Sequence, residues 1–249
     1  MKTNRRFLLA AIFGFALAFT FSCSSDDSGG NNNNNDPSGG GNGQGSCPNA
    51  TTSSGILSCG GQEYRTVVIN TQTWMAENLN YKASGSKCYD NKESYCDKYG
   101  RLYDWATAMS IDAKYNEAEW DGSDVKHQGI CPSGWHIPSK AEWEELVSYV
   151  ESNSECSNCA GKHLKAEIGW NDYDGESGNG LDTYRFSALP AGVRFNEDYF
   201  RSVDNLSHWW SASYYGHGAY NWRMIYSTED VRWSTGTKTN LISVRCVQD

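Results

Sequence analysis

Cysteine is the residue through which this 249-residue chain can do most chemistry: nine are present, at 23, 47, 59, 88, 96, 131, 156, 159 and 246. Cys23 stands alone at the end of an N-terminal apolar run, and the other eight make an even set. In an exported chain an even set reads as disulfides rather than metal ligands. Spacing alone permits about 105 pairings. The local pairs Cys47–Cys59, Cys88–Cys96 and Cys156–Cys159 are expected, which leaves Cys131 and Cys246 for one long bridge. Cys156-x-x-Cys159 has the spacing of a redox pair. No β-α-β pattern surrounds it and no positively charged helix start follows, so a structural bridge is expected there too.

Calcium binding is a second candidate chemistry. The polar loop NDYDGESGNGLD, residues 171–182, offers Asp172, Asp174, Glu176, Asn179 and Asp182, all hard oxygen donors. Its spacing is not that of an EF-hand, because Thr183 stands where the bidentate glutamate belongs. A solvated, turn-rich loop is the preferred reading, and no cofactor is expected unless calcium occupies it. Trp170-Asn171-Asp172 spells the WND tripeptide of calcium-dependent C-type lectins, but it lies ahead of the strand-rich region and lacks a Glu-Pro-Asn or Gln-Pro-Asp partner.

Aromatic residues are dense, with 10 Trp, 15 Tyr and 8 Phe, enough for a core and a contact surface. Trp209 and Trp210 are adjacent, so on a strand they face opposite sides and at most one is expected in the core. With Tyr214 and Tyr215 they form the candidate ligand-binding platform. No catalytic residue stands out. The histidines at 127, 136, 163, 208 and 217 lack ligand spacing, His136 reads as a packing residue at a helix start, and G-x-S-x-G, H-E-x-x-H and phosphate-loop motifs are missing.

The N-terminus supplies an address. Lys2, Arg5 and Arg6 precede an apolar run over 7–21, short for a membrane span and suited to a signal-peptide core. Ser22-Cys23 at its end resembles the lipobox of bacterial lipoproteins, which makes Cys23 the lipidated first residue of the mature chain; an ordinary secretory signal is the alternative. The following Ser-Ser-Asp-Asp resembles acidic export signals of lipoproteins on the outer face of the outer membrane. Residues 23–46 are Ser, Asp, Gly and Asn with almost nothing apolar, a flexible tether. One globular domain, 47–249, is left. The three leader cations cancel the three tether aspartates, so this domain carries the whole formal charge of −9. That sign argues against nucleic acid or anionic lipid as partners.

The elements that must position these groups are legible in part. QEYRTVVI, 62–69, and Thr73-Trp74-Met75 predict a strand pair. CYDNKESYC reads as a polar loop, and Leu102, Trp105, Ala106 and Met109 repeat at helical spacing over about 100–110. Ser139 and Glu142 form a capping box. Trp143, Leu146, Val147 and Val150 then make one apolar stripe of a second helix. A short helical turn is expected over 161–167. Short strands follow at 184–189, 208–213, 220–226, 231–233 and 242–246, so the expected class is α+β, two helices with short antiparallel strands, disulfide-stapled.

Six segments carry a resemblance: VINTQTWMAENLNY (68–81), YGRLYDWATAM (99–109), GICPSGWHIPSKAEWEELV (129–147), YRFSALPAGVR (184–194), HWWSAS (208–213) and SVRCVQD (243–249). In order and spacing they are similar to the blocks of the Fibrobacter succinogenes major paralogous domain, over about 61–249. That resemblance implies an exported bacterial protein or lipoprotein. HIPSKAEWEEL and SVRCV also resemble blocks of the sulfatase-modifying-factor type, which implies a C-type-lectin-like fold; its catalytic cysteines have a counterpart only in Cys246, so the activity does not carry over. The expected function is non-catalytic binding of an extracellular glycan or protein at the cell surface, with the outer membrane reached through the lipid anchor. An enzyme acting on surface polysaccharide or protein, and a structural or adhesin component, are the alternatives. Replacing Cys131 or Cys246 by serine is expected to lower stability by about 4–5 kcal/mol, the loop-closure value for their separation; an unchanged thermal midpoint would refute the bridge.

Overall fold

The computed structural model describes residues 45–195 and 199–249. The expected leader, Cys23 and the tether as far as residue 44 lie outside the described residues. Three hairpin turns open the fold. β1 (Thr51–Ser53), β2 (Ile56–Cys59), β3 (Gln62–Ile69) and β4 (Gln72–Met75) pair antiparallel in succession. The turn between β2 and β3 is Gly60-Gly61, with φ of 58° and 79°, the left-handed pair that a tight hairpin requires.

The expected first helix is divided. α1 (Glu93–Tyr99) begins inside the stretch read as a polar loop and runs past its end, β5 (Leu102–Tyr103) follows, and α2 is only Trp105–Met109. Tertiary pairing overrides the helical period, because Leu102 bonds to Lys87 and pairs with Ser243. Gly100 ends α1 at φ 78°, and Asp104 caps α2 by accepting from Thr107 N at 2.8 Å.

Next come β6 (Trp135–His136), α3 (Lys140–Asn153) and α4 (Ala160–Leu164). The capping box of α3 is formed, with Ser139 N donating to Glu142 Oε2 at 2.8 Å and Glu142 N donating to Ser139 Oγ at 3.3 Å. Trp143, Leu146 and Val150 are buried and Val147 is partly so. Trp143 packs 4.8 Å from Trp74 of β4 and stacks at 5.6 Å on Trp222. This helix therefore sits on both sheets.

The second half contains β7 (Val193–Phe195), β8 (Tyr199–Arg201), β9 (Leu206–Tyr215), β10 (Gly218–Ile225), β11 (Arg232–Thr237), β12 (Ile242–Ser243) and β13 (Val247–Gln248). Residues 184–189, expected as a strand, are not one. Arg185 and Ser187 have φ near 55° and 51°, and the Asp182 carboxylate holds both Ser187 N and Oγ, which breaks the extended alternation. The sheet orders are β1-β2-β3-β4-β13-β6 and β11-β10-β9-β12-β5, with β7-β8 as a separate ribbon. Thus the segment expected as one closing strand is two. β12 lies between β9, to which it is parallel, and β5, and β13 lies between β4 and β6. Strands dominate and helices are few, a mixed α/β fold in which strands precede the helices as well as follow them.

Disulfides join Cys47 to Cys59, Cys88 to Cys96, Cys131 to Cys246 and Cys156 to Cys159. The third ties the turn ahead of β6 to the crossing between β12 and β13. Arg245, 1% exposed, occupies that crossing. Its Nη2 donates to Asn78 Oδ1 at 2.9 Å and its Nη1 to Phe186 O, with the Phe186 ring 4.2 Å away. Asn78 Oδ1 also accepts from Trp209 Nε1 at 2.7 Å. Its Nδ2 donates to Tyr99 O at 2.9 Å and Ser243 Oγ at 3.3 Å. Among the described residues no helix is long and apolar enough to cross a membrane.

His136 is more than a packing residue. It is 1% exposed, with Nε2 2.7 Å from Glu142 Oε1 and Nδ1 2.6 Å from Asp249 Oδ1. Both partners are acceptors, so both ring nitrogens donate. Burial opposes that charge, but the bonds and charges of Glu142 and then Asp249 outweigh it and raise the pKa above 6.5. For Glu142, burial is likewise outweighed by His136 and Ser139, and its pKa falls below 4.5. The imidazolium's contribution is complete below the ordinary histidine value and is lost as pH rises through the raised one; the carboxylate's is lost as pH falls through the lowered one. The melting penalty of His136→Gln is therefore expected to be largest at about pH 5–6 and to shrink by about pH 9; a pH-independent penalty would contradict the charged pair.

Candidate ligand-binding cleft

One face of the second sheet is set by register. Opposite one another stand Trp210 with Asn221, His208 with Arg223 and Leu206 with Ile225; across the next pairing stand Asn221 with Ser234 and Arg223 with Arg232. Trp222 and Met224 alternate to the other face, where Trp222 meets α3. A register shift between Ala219 and Asn221 lies at the upper end of this face, the kind of irregularity that re-aims a side chain.

The face opens into a cleft of about 570 Å³. Trp210, Phe195, Tyr226, Ile225 and Ile242 supply its apolar surface, and His208, Asn221, Arg223, Ser234, Asn240 and Thr237 its polar groups. Asn221 Oδ1 accepts from His208 Nδ1 at 2.8 Å and from Ser234 Oγ at 2.9 Å. That bond places the ring proton on Nδ1 and leaves Nε2 as an acceptor. Burial pushes the His208 pKa down to about 4, against the Asn221 bond and aided by the Arg223 charge, so the ring is neutral. Arg223 Nε is buried without a hydrogen-bond partner. No carboxylate lines the cleft among the described residues. A cleft of this size, part aromatic and part polar, suits a small polar ligand.

Of the sequence candidates, Trp209 and Trp210 are both core, 0% and 1% exposed, which corrects the expectation that at most one is buried. β9 is an interior strand covered on both faces, and each indole finds an acceptor, Trp209 at Asn78 and Trp210 at Tyr103 O, 2.8 Å away. Trp210 remains relevant as part of the cleft wall. Tyr214 is half-buried against Trp120, 5.5 Å away, whereas Tyr215 is 72% exposed at the β9–β10 turn. Tyr215 lies outside the cleft lining.

The calcium candidates do not converge: no three of Asp172, Asp174, Glu176 and Asp182 bring their oxygens within 4.8 Å of one another. Asp182 is engaged by Ser187, and Asn179 Oδ1 accepts from Trp170 N at 2.9 Å. The cation behind this loop is Lys165, 2% exposed. Its Nζ donates to the carbonyls of Ile225 at 2.6 Å, Thr228 at 2.7 Å and Gly178 at 3.3 Å. Burial lowers its pKa to about 8. Among the described residues, side chains clustered at ligand distance are Cys156, Cys159 and His163, and Cys88, Glu93 and Cys96. In both clusters the sulfurs are bonded to each other.

Sequence reasoning missed His208, Asn221, Arg223 and Ser234 as a group. The available signal was the alternation of Asn221 and Arg223 with Trp222 and Met224, polar residues at every second position of an otherwise apolar strand.

Fold and site together define a disulfide-stapled domain of mixed α/β type carrying an aromatic and polar cleft on a sheet face. The sequence model of the Fibrobacter succinogenes major domain matches residues 67–248, and the chain belongs to that family. No curated protein and no solved structure matches it. Nitrogen-detected NMR of the histidine rings is expected to find His208 as the neutral Nδ1–H tautomer at pH 5.5; an imidazolium there would overturn the hydrogen-bond assignment in the cleft.

Proposed function

We propose that the protein is a surface lipoprotein, anchored in the outer membrane through Cys23, whose domain binds an extracellular glycan without catalysis. The observation that carries the reading is the composition of the cleft. Ring surface from the half-buried Phe195 and Tyr226 stands, over the buried Trp210, beside the amide of Asn221, the hydroxyl of Ser234 and the acceptor nitrogen of His208. Sugar rings present apolar C–H faces and hydroxyl edges, and a mixed aromatic and polar wall complements both. A C-type-lectin-like architecture belongs to the same proposal. It is supported by the insertion of β13 between β4 and β6, which returns the end of the chain to the sheet begun by its first strands, and by the long irregular excursion between α4 and β9.

Gly236 on β11 supplies the test. A Cβ there would lie 3.0 Å from Asn221 Nδ2, so a larger side chain would project into the cleft. The full-length protein is expected to retain a subset of saccharides on a glycan array, and Gly236→Leu to abolish retention while the protein stays folded with a cooperative, somewhat lowered melting transition. Retention unaffected by Gly236→Leu, or no saccharide retained by wild type, would sink the proposal.

A further inference from the structure

The cleft contains a cation that the fold itself does not use. Arg223 stands on β10 between His208 of β9 and Arg232 of β11. Its Nε is removed from water and has no hydrogen-bond partner, and among the described residues its guanidinium forms no ion pair. A buried N–H without an acceptor costs about 1–3 kcal/mol, so its retention at a cleft wall points to an acceptor that arrives from outside. Asp230, just ahead of β11, is committed elsewhere: it binds Arg232 Nε and accepts from Thr228 Oγ1 at 2.7 Å. His208 is kept neutral by burial and its Nδ1–H is spent on Asn221, so it neither competes for an anion nor balances the charge. The domain as a whole carries excess acid, with 30 Asp and Glu against 21 Lys and Arg in the chain. An exposed anion has little reason to approach such a surface except at a local positive site.

Resting on the reading of the cleft as a glycan site, we propose that the ligand is an acidic saccharide whose carboxylate pairs with Arg223. A carboxylate presents two coplanar oxygens, and guanidinium presents coplanar N–H groups that match them. A hexuronic acid unit joins that group to a ring whose C–H face would meet Phe195 and Tyr226, the half-buried rings of the cleft. Asn221, Ser234 and His208 line the same cleft and offer hydrogen-bonding groups to its hydroxyls. The ion pair would form inside a partly dehydrated cleft, where charge-assisted bonds are stronger than at an open surface.

The methyl ester of the same sugar removes the charge and keeps the ring, so it isolates Arg223. Full-length protein would be titrated calorimetrically with oligogalacturonide and oligoglucuronide and with their methyl esters. The free acids are expected to bind at least about tenfold more tightly than the esters. Arg223→Gln is expected to abolish that difference, and Arg223→Lys to restore part of it; melting curves of each variant report that it is folded. Equal affinity for acid and ester, or an unchanged acid preference in Arg223→Gln, overturns the assignment of the carboxylate while the glycan reading stands. Displacement of the acid by equimolar inorganic sulfate or phosphate also overturns it, in favour of a general anion site. Binding of no saccharide, charged or neutral, removes both proposals together.

Discussion

The fold depends on one buried cation that has no carboxylate beside it. Arg245 lies where the chain crosses from one sheet to the other, and its burial is severe enough to pull its pKa down to about 9. The charge is tolerated because Asn78 Oδ1, Phe186 O and the faces of Phe186 and Trp209 surround it. An unpaired charge in the interior is otherwise very costly. Asn78 consequently becomes the point where four parts of the chain meet: the end of α1, the centre of β9, β12 and the Arg245 crossing. Lys165 behind the 171–182 loop and Lys238, which is fully buried over Trp105 and donates to Ala118 O, repeat the arrangement of an interior cation held by carbonyls and rings.

This arrangement bears on the site. With Trp209 fixed by Asn78 and Trp210 by Tyr103 O, β9 cannot rotate about its axis. His208 and Trp210 are therefore held on the cleft face. The cleft wall is thus part of the rigid sheet, with only β7 and the turns around it contributed by less regular segments. Sites built on strands hold their geometry better than sites built on loops. The 171–182 loop, by contrast, spends its own polar groups on itself, through Asp182 and Asn179, and has little left to offer a ligand.

How much of this was legible in the sequence follows from how local each signal was. The capping box and the α3 stripe depend on residues three and four apart and read directly. So did the strand pair 62–75 and the even cysteine count. The division of 242–246 between two sheets arises from pairings with β5, β4 and β6, all more than a hundred positions away, which no local window contains. Burial of Trp209 together with Trp210 failed for the same reason: alternation tells which side a residue faces, not whether that side is covered. The cleft was invisible because it is made by the registers of β9 on β10 and β10 on β11, and register is a tertiary quantity.

The placement of β13 has a temporal consequence. A ribosome delivers the chain from its N-terminus, and a translocation channel would do the same. The six-stranded sheet is complete only when residues 247–248 insert between β4 and β6, both delivered long before. Until then β4 keeps an open edge, Arg245 has not reached Asn78, and Cys131 has no partner. A chain arrested short of that point would lack the strand, the interior cation and the cysteine that join its two sheets.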